Sequence, residues 1–98
     1  MTPEQEKQVF NRIIAFFGDE SQKIMAIEEM SELIKELTKE LRDRGDVEHI
    51  AEEIADVEIM LSQLKIIYNV HDKVASVRDY KLNRISKIMD ELERKQAS

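Results

Sequence analysis

Ninety-eight residues with a net charge of −6 make one small domain, residues 1–98, and one too acidic for sequence-independent nucleic-acid binding. With no cysteine, disulfides, thiolate metal sites and cysteine nucleophiles are excluded. No apolar run approaches the ~20 residues of a membrane span and no signal-peptide pattern opens the chain, so a soluble, cytoplasmic protein without membrane or nucleic-acid partners is expected.

The pattern predicts four helices. Thr2-Pro3-Glu4-Gln5 reads as a capped start, with Gln5 placed to close a capping box. Val9, Phe10, Ile13, Ile14 and Phe17 follow at helical spacing, and Gly18 is a natural stop. A second helix starts near Asp19 or Ser21 and runs to Arg44, with Ile24, Ile27, Ile34, Leu37 and Leu41 as its apolar stripe. Arg44-Gly45-Asp46 makes the turn, and Asp46 caps a third helix that continues to about Tyr68. The stripe of that helix is Ile50, Ile54, Val57, Leu61, Leu64 and Tyr68. Asn69 to Asp72 forms a short connection. A fourth helix carries Val74, Val77, Ile85, Ile88 and Leu92, with a frayed tail from Glu93. Four helices with short connections predict an all-α, four-helix bundle-like chain. The second and third are long for so small a chain, and a second subunit is expected to cover the apolar surface that one chain leaves open.

Charged residues stand where this pattern expects apolar ones. On a wheel at about 100° per residue with Ile50 at zero, the third helix's stripe spans about 320° through zero to 40°. Glu53 falls at about 300°, inside the apolar face, and Asp56 at about 240°, at its edge beside Met60 and Ile67. A buried, unpaired carboxylate costs several kcal/mol, so both acids need a cation, a donor or a proton. Three residues apart, they can hold one ion together. The second helix offers Glu28, Glu29 and Glu32, on a face that periodicity alone reads as solvated. The fourth helix places Lys81 near the middle of its stripe, with Arg78 and Arg84 on the flanks. These bases either pair with the acids or, with a divalent ion, form a phosphate pocket.

Glu28-Glu29-x-x-Glu32, followed after twenty residues by Glu53-x-x-Asp56, resembles the signature of the MazG-like, all-α nucleoside triphosphate pyrophosphatases. That superfamily also includes helical dCTP and dUTP pyrophosphatases and phosphoribosyl-ATP pyrophosphohydrolase. The resemblance covers about residues 20 to 92. It implies an enzyme that hydrolyses the α–β phosphoanhydride of a nucleotide to a nucleoside monophosphate and pyrophosphate. Glu29, Glu32, Glu53 and Asp56 would be ligands to Mg²⁺, with Mn²⁺ as a substitute. Glu28 would support them, and Glu29 or Glu32 could take a proton from the attacking water. Arg78, Lys81 and Arg84, matching the family's basic helix loosely, would bind substrate phosphate. The expected partners are the nucleotide and further copies of the chain, as a homodimer or homotetramer. The rival reading is a non-enzymatic helical interaction or adaptor module, which explains the amphipathic helices but leaves Glu53, Asp56 and Lys81 without purpose. His49 and His71 are isolated, and read as surface residues rather than catalysts.

Overall fold

The computed structural model describes residues 1–97. It contains four helices: α1 (Pro3–Phe17), α2 (Asp19–Leu41), α3 (Val47–Ile67) and α4 (His71–Ala97). The all-α, bundle-like fold expected from periodicity is the fold observed, and no strand occurs among the described residues.

Local chemistry sets the helix ends. Thr2 Oγ1 accepts from the Gln5 backbone N–H at 3.1 Å, and Gln5 Oε1 accepts from the Thr2 N–H at 2.8 Å, completing the capping box. Gly18 holds φ at +92°, a region that disfavours side chains, and so lets α1 stop and α2 start without a linker. Asp46 caps α3 by accepting from the Glu48 N–H at 2.9 Å. The helix bounds differ modestly from the sequence expectation. α2 ends at Leu41 because Arg42 and Asp43 leave helical geometry, Asp43 with φ +58°. α4 starts at His71 and runs to Ala97, through the charged tail expected to fray.

Packing departs further from expectation. α2 and α3 form an antiparallel pair and the main contact of the chain. Lys23, near the start of α2, places its ammonium 4.6 Å from the ring centroid of Tyr68 at the far end of α3. The α2 residues turned toward this seam are Gln22, Ala26, Glu29, Leu33 and Glu36, all buried or half-buried. Their spacing of four, three, four and three is the repeat of closely paired helices. Met60 and Gln63 are the buried residues of α3. The stripe from Ile24 to Leu41 lies on the other side of α2 and is exposed, with Ile34 at 65% and Leu41 at 82%. Periodicity identified the apolar face correctly, but α3 packs on the polar one. The interior is consequently thin: Ala26 and Met60 are its only fully buried apolar side chains among the described residues. Burying a methionine stabilises by about 1.5–3 kcal/mol, so an interior this small leaves most of the apolar stripes unused.

α1 lies against both α2 and α3, whereas α4 packs on α3 alone. α4 has no buried residue. Lys81, expected inside a core stripe, is exposed for that reason, as are Arg78 and Arg84. The chain is elongated, 58 × 37 × 25 Å.

Candidate metal centre

The polar seam brings carboxylates from two helices together. One oxygen each from Glu29, Glu53 and Asp56 lies within 4.8 Å of the other two. Glu29 reaches the group because it belongs to the seam repeat of α2. Glu53 and Asp56, three apart on α3, stand one turn above the other on the facing side. Glu29 and Glu53 are half-buried, and Asp56 lies at the boundary between half-buried and exposed.

No base neutralises this group: none of the salt bridges among the described residues involves Glu29, Glu53 or Asp56. Burial pushes the Glu29 carboxyl above its ordinary range, and the nearby charges of Asp56, Glu53 and Glu32, with a hydrogen bond to Asp56, add to the effect. Glu53 is raised likewise, first by burial, then by Asp56, Glu32, Glu36 and Glu52. Every neighbour that sets the acidity of these two groups is itself a carboxylate. Glu53 Oε2 is also buried without a hydrogen-bond partner. A buried acceptor left unpaired is costly, and a bound cation is one means of satisfying it.

Oxygen donors in this number suit a hard cation rather than a soft metal. Two oxygens on one Mg²⁺ lie at most about 4.2 Å apart, close to the 4.8 Å limit within which these three oxygens lie. The donor set therefore fits a divalent ion.

The remaining sequence candidates are placed differently. Glu32 is exposed and sits 3.7 Å from Lys35, though its charge is felt at both Glu29 and Glu53. Glu28 is exposed and outside the close group. Arg78, Lys81 and Arg84 stand on α4, which does not contact α2, and are not brought to the carboxylates within one chain. Three seam residues were not among the sequence candidates, although Glu36 shares a face with Glu29 and Glu32. Glu36, whose side chain is only 12% exposed, extends the acidic line and holds Lys39 at 3.3 Å. Gln22 and Gln63 are buried amides, and Gln63 Oε1 has no hydrogen-bond partner. The four–three spacing of Gln22, Ala26, Glu29, Leu33 and Glu36 was the signal that could have found the two on α2. A surface recess of about 540 Å³ lies away from Glu29, Glu53 and Asp56, between the start of α1 and the α3–α4 corner near Phe10, Lys65 and His71. Compared with protein-family models, curated proteins and solved structures, the chain matches none.

Proposed function

We propose that this chain is a Mg²⁺-dependent nucleotide pyrophosphohydrolase that cleaves the α–β phosphoanhydride of a nucleoside triphosphate or related nucleotide. The observation that carries the reading is the trio Glu29, Glu53 and Asp56, three acids on two helices with no neutralising base and one orphaned, buried oxygen. The resemblance of the Glu28-to-Asp56 pattern to MazG-like pyrophosphatases supplies the reaction class.

Glu29, Glu53 and Asp56 would hold the ion, with Glu32 one turn along α2 as a fourth donor. When bound, Mg²⁺ polarises a phosphoryl group and orients a water nucleophile. Glu29 or Glu32 would accept the proton of that water. Glu28 supports them from the adjacent position. No salt bridge among the described residues engages Glu29, Glu53 or Asp56, so their negative charge is available to a metal–phosphate complex. In this reading Arg78, Lys81 and Arg84 stabilise charge on the phosphate oxygens from another copy of the chain.

The test is a panel of nucleoside triphosphates with Mg²⁺, reading monophosphate and pyrophosphate separately. Equimolar monophosphate and pyrophosphate from at least one nucleotide, abolished by EDTA and by Glu53→Gln, is the expected result. Release of orthophosphate instead would remove the α–β assignment. The exposed apolar faces favour one other reading, a helical interaction module, and no turnover together with no response to Mg²⁺ would leave that reading in place.

A further inference from the structure

We infer that the C-terminal end of α2 carries a phosphate site, separate from the carboxylate trio, that takes a short oligophosphate without a metal ion. Lys35, Thr38, Lys39, Arg42 and Arg44 line a recess of about 260 Å³ there. Drug-sized ligands occupy about 300–1,000 Å³, so this space suits a small ion. Four of the five lining residues are bases and none is an acid, in a chain whose net charge is −6. The inference stands whether or not Glu29, Glu53 and Asp56 hold Mg²⁺.

Two turns of helix and the bend that follows build the recess. Lys35, Thr38, Lys39 and Arg42 stand at offsets of three, four and seven, which puts them on one face of α2 within about 100°. Arg44 lies beyond the helix and is brought back by Asp43, whose φ of +58° reverses the chain. The Arg44 backbone N–H then donates to the Lys39 carbonyl at 2.9 Å, which fixes the turn beside the helical bases. Bases near a helix C-terminus commonly serve its free carbonyls and its dipole. Here backbone groups already take those carbonyls: the Arg42 N–H also donates to Lys39, and the Asp43 N–H donates to Glu40, each at 3.0 Å. Neither guanidinium forms an ion pair among the described residues. Thr38 donates its hydroxyl to the Ile34 carbonyl at 2.8 Å and only lines the wall.

Two unpaired guanidinium forks beside two ammonium groups select a multivalent oxyanion. A guanidinium holds phosphate through two parallel N–H bonds, and a lysine adds a point charge. Lys35 is held only by an exposed pair with Glu32 at 3.7 Å, weak enough for a phosphate to displace, while Lys39 stays beside Glu36 at 3.3 Å. A nucleic-acid strand does not fit. Glu28 and Glu32 continue the same face of α2, and Asp43 and Asp46 stand in the turn, so acids bound the patch at both ends. A phosphate backbone running past the recess would meet them, whereas a di- or triphosphate ends inside it. Inorganic pyrophosphate and the phosphate tail of a nucleotide share this chemistry.

Calorimetric titration of the intact chain in EDTA at low ionic strength tests the site. Pyrophosphate should bind without metal, and orthophosphate about tenfold more weakly or worse. Arg42→Gln with Arg44→Gln should weaken pyrophosphate binding by about tenfold or more at an unchanged helical signal. Arg12→Gln with Lys87→Gln removes the same charge from exposed positions elsewhere and should bind as the wild type does. Glu53→Gln should also bind as the wild type does, which separates this site from the metal reading. Tripolyphosphate against ATP, both in EDTA, distinguishes the two sources. Tighter binding of ATP assigns the recess to a nucleotide tail, and equal or weaker binding assigns it to the free oligophosphate. Absence of pyrophosphate binding in EDTA overturns the inference. So does an arginine variant that binds as tightly as the wild type, or a control pair that loses as much as the arginine pair.

Discussion

Replacing Asp56 by asparagine removes one charge from the trio while keeping its shape. The three oxygens lie within 4.8 Å of one another, close enough for like charges to repel. Asp56→Asn removes that repulsion from both Glu29 and Glu53. In EDTA its melting temperature should therefore hold or rise by a few degrees, since about 1 kcal/mol moves a domain of this size by roughly 4–8 °C. With Mg²⁺ the order reverses. A hundredfold excess over the dissociation constant stabilises the wild type by about 2.7 kcal/mol, or roughly 10–20 °C on the same scale. Asp56→Asn, having lost a ligand, should show little of that rise and should turn over nucleotide orders of magnitude more slowly. Glu53→Gln should behave alike. Differential scanning fluorimetry of the three proteins, with EDTA and then with a Mg²⁺ series at fixed protein concentration, reads both arms. If the variants melt far below the wild type in EDTA yet keep its full Mg²⁺ response, the acids are structural partners of some base and the metal assignment fails.

The other predictions use the same proteins. Glu29 and Glu53 have carboxyls raised above the ordinary 4.5; the folded state therefore binds their protons more tightly than the unfolded state does. Their contribution to stability is complete below that ordinary value and is lost as pH rises through the raised ones. The metal-free protein should show a falling melting temperature over that window, Glu53→Gln a shallower fall, and saturating Mg²⁺ should cancel it; a flat profile in EDTA would contradict the crowding of charge. At Gly45 an added Cβ would run into Cα and Cβ of Glu40. Gly45→Ala should thus destabilise by roughly 1–3 kcal/mol in urea titrations, and an unchanged midpoint would show that the α2–α3 turn yields freely. Lys81→Met should leave the helical signal intact, because Lys81 is exposed; nucleotide turnover in the assembled protein should fall, and unchanged kinetics would remove α4 from the phosphate site.

What the sequence determined by itself was much of what depends on neighbours along the chain. Thr2, Gly18 and Asp46 set helix ends through contacts within a few residues, and the sequence places all three correctly. Glu53 and Asp56 could be marked as unusual because their positions on α3 border Val57 and Met60, again a local fact. The orientation of one helix against another is not local. The apolar stripe of α2 is plain in the sequence, yet α3 rests on the opposite face, where Gln22 and Ala26 are buried and Glu29 is half-buried. Periodicity says which side of a helix avoids water, not which of several surfaces covers it, and here that stripe is left exposed. For the same reason Glu29 reads as solvated in the sequence and is half-buried beside Glu53 in the fold. Only the tertiary structure decided that Arg78, Lys81 and Arg84 stand apart from the acids of their own chain, because α4 meets α3 alone. The helices were written in the order of residues, while the carboxylate group exists only through the pairing of two of them.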